Sequence, residues 1–156
     1  MAYESIYQVS LTPLTPEDYI DEEMFYEDFV GHYATYVDDS TDQKEGIKRL
    51  KQELGEAAKW DGNSFKIIDK EKFFRGKFIR FKDDIERLEI YSLDTFSGTV
   101  PSDLDLDMYR LNKHYSDEFG TYMYDKGNSI RTIDQFVRQA NLGETWYVGK
   151  VIGYHH

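Results

Sequence analysis

The chain has 156 residues, of which 40% are hydrophobic, and among them are 13 Tyr, 10 Phe and 2 Trp; that is enough apolar and aromatic material for one well-buried domain and excludes a disordered chain. There is no Cys, so disulfides and thiolate metal sites are excluded, and no apolar run reaches the roughly 18 residues of a membrane span. The net charge is −11, and its placement matters more than its size. Eleven of the 30 acidic residues fall in residues 1–43, which contain no Lys or Arg, leaving 19 acids to balance the 19 bases of residues 44–156.

Glu4 to Leu11 alternates as a strand, with Tyr7, Val9 and Leu11 on its buried side. In the LTPLTPED stretch, Thr15 is an N-cap, Pro16 stands at the first helical position, and Glu17 and Asp18 suit the positive end of the helix dipole. A single helix to Tyr33 would scatter its apolar residues. A restart at Asp21 gathers Phe25, Tyr26, Phe29, Val30 and Tyr33 in one arc and leaves Glu23, Glu27 and Asp28 opposite, so two short helices are expected.

Ser40 and Gln43 form a capping box before a helix whose stripe is Ile47, Leu50, Leu54 and Ala57. Asp61-Gly62-Asn63 turns the chain into a strand from Phe65 to Ile68. The next segment places Phe74, Phe78, Phe81, Ile85 and Leu88 along one seam of an amphipathic helix with a basic first half, Lys66 to Lys82. DLDLDMYRL alternates Leu104, Leu106 and Met108 with Asp103, Asp105 and Asp107, which predicts a half-exposed strand. A hairpin tip at Asp125 to Asn128, a capped helix from Thr132 to Ala140 ending at Asn141-Leu142-Gly143, and a terminal strand in TWYVGKVIGY complete the chain. The expected fold is α+β, a single compact domain in which a small, mainly antiparallel sheet is packed by four to five short helices.

Catalytic signatures are absent. No G-x-S-x-G or phosphate-binding glycine loop occurs, and none of His32, His114, His155 and His156 pairs with another at helical ligand spacing. Asp103, Asp105 and Asp107 resemble the opening of a calcium loop, but Met108 and His114 stand where that loop needs Gly and Glu. No cofactor and no metal are expected. MAYESIYQVS lacks the basic start and apolar centre of a signal peptide, so the chain reads as soluble and cytoplasmic.

What local rules leave unexplained is the absence of any base across 43 residues, because an ordinary helix face mixes signs. Two electropositive counterparts fit: the chain's own Lys66 to Lys82 face, or a protein partner with a basic surface. For the second, Asp21, Glu22, Glu23, Glu27, Asp28, Asp38 and Asp39 are the candidate contacts. Acids one helical turn apart lie about 5.4 Å from each other, close to the spacing of phosphates on a single strand. In size, charge and lack of catalytic motifs the chain is similar to the small acidic anti-CRISPR and antirestriction proteins of phages and plasmids; that similarity is one of general character and carries no motif residue by residue. It implies a non-enzymatic inhibitor of a nucleic-acid-handling protein, acting in a bacterial host without touching nucleic acid or membrane. The alternatives are an immunity protein against a cationic nuclease toxin, a small carboxylate-based hydrolase, and a viral structural protein.

Overall fold

The computed structural model describes residues 3–25, 29, 34, 36–38, 42–127 and 129–156. Seven strands form one curled sheet: β1 (Tyr3–Ser10), β2 (Tyr36–Asp38), β3 (Ala58–Asp61), β4 (Ser64–Ile67), β5 (Tyr122–Asp125), β6 (Ser129–Thr132) and β7 (Thr145–His155). Their order is β3-β4-β7-β1-β5-β6, and all pairs are antiparallel except β1 with β5. The terminal strand β7 organises the sheet. One edge runs along β1; the other holds β4 near Thr145–Tyr147 and β2 near Gly153–His155.

Alternation in the two central strands builds two cores on opposite faces. Tyr7 and Val9 of β1 and Val148 and Val151 of β7 enter the larger cluster, while Ile6, Ile152 and Tyr154 enter the smaller one. The larger core is covered by α1 (Gln43–Leu54) and α5 (Ile133–Gln139), and by Phe73 from α2 (Lys70–Leu88). Gly46 lets α1 approach closely, since a methyl group there would stand 2.7 Å from Val151, and Tyr7 donates its hydroxyl proton to the Gly46 carbonyl at 2.6 Å. The smaller core is closed by Phe25, Phe29, Ala34 and Val37, all from the acidic N-terminal quarter.

Several expectations hold. The α1 stripe is buried, Thr132 accepts from the Gln135 amide to start α5, and the β5–β6 and β3–β4 hairpins form, the latter turning at Gly62 with φ 59°. The cap of α1 is Asp42, whose carboxylate accepts from the Lys44 amide; Ser40 lies outside the described residues. β1 is buried on both faces instead of one, and Leu11 lies beyond it, exposed.

Two corrections concern helices. Residues 103–108, expected as a strand, begin α4 (Leu104–Tyr115), because Leu104, Asp107, Leu111 and His114 recur at helical spacing and turn toward α2 while Asp105 and Leu106 face outward. The inner line of α2 is Phe73, Lys77, Phe81, Asp84 and Leu88, offset from the expected seam, and Phe78 is 59% exposed. The helix itself covers the expected segment, 19 residues from Lys70 to Leu88. It lies antiparallel to α4, with the short α3 (Leu93–Phe96) at the hairpin end.

Candidate partner-binding surface

Over its described residues the acidic segment runs across the sheet's smaller core as two short helical turns, both of 3-10 type, Pro16–Asp18 and Glu22–Phe25; Tyr26, Val30 and Tyr33, expected on the second, lie outside the described residues. Thr15 caps the first turn as expected. The Asp18 carboxylate accepts from the Thr15 amide and hydroxyl, both at 3.0 Å, and these bonds hold its carboxyl below the usual value. Asp21 starts the second turn by accepting from the Glu23 amide at 3.1 Å. Phe25 then drops into the core against Phe29 and Tyr124.

A buried side chain fixes this path. Gln8, at the β-bulge of β1, donates to the Asp18 carbonyl at 2.8 Å and accepts from the amides of Ile20 at 3.3 Å and Lys150 at 3.1 Å. Its carboxamide fits because Gly149 leaves the space: a methyl group there would sit 2.6 Å from the Gln8 oxygen. Gln43 adds a second tie, donating to the Gly149 carbonyl at 2.6 Å and to the Tyr19 hydroxyl at 3.3 Å. Gln8 did not stand out in the sequence, and Gln43 stood out only as half of a capping box with Ser40, whereas its carboxamide binds Gly149 and Tyr19. In a strand of apolar and small residues, the signal for Gln8 was a long amide at a position flanked by buried ones.

The expected contact residues divide accordingly. Asp21 and Glu23 are exposed and Glu22 is half-buried on the second turn; Asp38 is half-buried in β2, which neighbours that turn. Glu27, Asp28 and Asp39 lie outside the described residues. Among the described residues, Glu17, Asp21, Glu22 and Glu23 take part in no ion pair. Asp18 and Asp21 border an open groove of about 900 Å³ between this segment and the β5–β6 hairpin, along with Leu11, Met24, Tyr124 and Lys126.

The basic face of α2 has other partners. Lys72 pairs with Glu56, Lys77 with Asp134, and Lys70 donates to the Arg138 carbonyl, whereas the acidic segment covers the opposite face of the sheet. Between α2 and α4 the contacts are also polar. Asp84, 1% exposed, accepts from Arg87 at 3.0 Å and meets His114 at 2.5 Å; Asp107 accepts from Tyr91 and Arg110. The bond to Asp107 pushes the Tyr91 hydroxyl up to about 12. Asp103, Asp105 and Asp107 therefore diverge around a helix, and among the described residues no three His, Asp or Glu side chains converge as a metal site.

Two carboxyls titrate above their usual range. Burial raises Glu4, with Asp117 adding repulsion and Arg49 opposing it; burial raises Glu53, with the hydrogen bond from Thr121 opposing it. Neither borders the groove, whose other carboxylate, Asp125, is tied to Arg131 and to the Gly127 amide. Among the described residues, no helix is long and apolar enough to cross a membrane. Compared with protein-family models, curated proteins and solved structures, the chain gives no significant match.

Proposed function

We propose that the protein is a non-enzymatic inhibitor that uses its acidic N-terminal segment to bind a basic surface on a nucleic-acid-handling protein, in the manner of an anti-CRISPR or antirestriction protein, in the cytoplasm of a bacterial host. The observation that supports this reading is the combination of Glu17, Asp21 and Glu23, exposed and, among the described residues, in no ion pair, on a segment held in place by a buried glutamine. Rigid display matters because a pre-ordered charged surface loses little entropy on binding, and complementary charge speeds encounter. The neighbouring exposed Met24 and Leu11 supply apolar contact area beside the carboxylates. Such a surface repels DNA and RNA, so the protein binds the enzyme and leaves the nucleic acid alone.

Transformation of bacteria that carry an active CRISPR or restriction system provides the test. Expression of this chain should raise the recovery of a targeted plasmid, and Glu17→Lys with Glu23→Lys should abolish the rise. Protection from a co-expressed cationic nuclease toxin, with no effect on plasmid recovery, would replace the proposal with an immunity function. No effect in either assay would overturn both.

A further inference from the structure

The outward face of α2 carries opposite charge at its two ends in a self-matching arrangement. At 100° per residue Lys72, Arg75, Ile79, Asp83 and Glu86 fall within an arc of about 80°, and all five are exposed. Counting outward from Ile79, Arg75 stands as far on one side as Asp83 on the other, and Lys72 as far as Glu86. The match extends past the helix ends. Ile68, 48% exposed before α2, is as far from Ile79 as Ile90, 79% exposed after it.

We infer that this face is the interface of a homodimer in which two α2 helices cross antiparallel about a two-fold axis at Ile79. In such an isologous contact each residue faces the one that mirrors it across the axis. Lys72 and Arg75 of one copy then lie against Glu86 and Asp83 of the second, the two Ile79 side chains meet at the centre, and Ile68 covers Ile90 at each end.

Two observations point to a second copy. Among the described residues, Arg75, Lys82, Asp83 and Glu86 form no ion pair, and that of Lys72 with Glu56 is an exposed contact at 3.5 Å. Gly76 stands in the helix interior, where glycine is less favourable than alanine. Within the chain a methyl group there would meet only the Arg80 side chain, at 3.7 Å, so no internal packing requires the glycine. Next to a helix crossing it lets the two backbones approach and leaves room for Lys82 of the opposing copy. The acidic segment lies on the other face of the sheet, so the dimer displays two such segments and stands independently of the function proposed above.

The absence of cysteine makes the test direct. Ile79→Cys should form a disulfide-linked dimer under mild oxidation, whereas Lys113→Cys, on the exposed side of α4, should stay monomeric. The unmodified protein should sediment as a dimer at about 100 µM, where a complex of micromolar Kd is almost fully associated. Lys72→Glu with Arg75→Glu should weaken association about tenfold or more, the change that 1.4 kcal/mol produces. Adding Asp83→Lys and Glu86→Lys to the same chain should restore it. A monomer at that concentration, crosslinking no faster at 79 than at 113, or a dimer indifferent to the charge reversals would each overturn the inference.

Discussion

The carboxamide of Gln8 donates to the backbone carbonyl of Asp18 across 2.8 Å, joining a buried strand to the turn that carries the first acidic residues of the surface segment. The same side chain also satisfies the amides of Ile20 and Lys150. Gln8→Leu keeps the volume and removes all three bonds, which should cost about 1 to 3 kcal/mol for each partner left buried without water and less where water enters. Urea unfolding should show that loss. Hydrogen exchange at Ile20 should accelerate more than exchange at Met123 in the larger core. Equal acceleration at both sites would mean that Gln8 supports the sheet as a whole and does not specifically hold the segment.

The raised carboxyls of Glu4 and Glu53 set the sign of a pH dependence. A carboxyl whose folded value lies above its unfolded value of about 4.5 destabilises the fold when ionised; its relative stability is complete below that value and is lost as pH rises through the folded value. Melting temperature should therefore increase as pH is lowered from neutral toward about 4.5. Asp18 acts oppositely: its lowered value contributes stability above about 3.8 that disappears as acid protonates it below that point. Glu53→Gln, which can still accept from Thr121, should raise the melting temperature at neutral pH and flatten the increase. A melting temperature that falls over that range would contradict this assignment.

The sequence was legible where one period dominates. In β7 the aromatic and β-branched run left little choice, and in α1 Ile47, Leu50 and Leu54 repeat only as a helix repeats. α4 was misread because Leu104, Leu106 and Met108 satisfy a two-residue period, while the helical line Leu104, Asp107, Leu111 and His114 includes a buried carboxylate and a histidine that a hydrophobic template scores as solvent-facing. The seam of α2 shifted for the same reason: its inner line contains Lys77 and Asp84, which find their partners in Asp134 and His114, far away in the chain. For the surface segment, the charge of Asp21, Glu22 and Glu23 and the caps at Thr15 and Asp21 could be read locally. The hold of Gln8 and Gln43 could not, because their partners include Lys150 and Gly149, at the other end of the chain.

That polar line between α2 and α4 makes a sharp prediction at Asp84. Asp84→Ala leaves Arg87 and His114 without their shared acceptor and opens space in the hairpin, and it should destabilise by about 1 to 3 kcal/mol in denaturant unfolding. If the buried carboxylate sets the pairing of the helices without adding net stability, Asp84→Leu with His114→Leu should recover most of the loss, as apolar replacements of buried ion pairs often do. Failure of the double replacement to recover stability would show that the pair itself contributes.

The acidic surface yields the most discriminating prediction. Glu17 and Glu23 are exposed and, among the described residues, make no ion pair, so changing both to Lys should leave the melting temperature nearly unchanged, within about 0.5 kcal/mol per site. Relief of repulsion among neighbouring carboxylates adds little to it, because solvent screening over the exposed turns keeps that gain small. Against a basic protein partner the same double variant should associate more slowly, with a smaller change in dissociation, because rim charges act mainly on encounter. The affinity of the unmodified chain should fall as salt rises, since the screening length shortens to about 3 Å near 1 M, and the variant should lose much of that salt dependence. A variant that melts normally and binds with unchanged rate and salt dependence would remove the acidic segment from the interface and leave the exposed apolar end of the α2–α4 hairpin, Leu93 and Phe96, as the surface to test next.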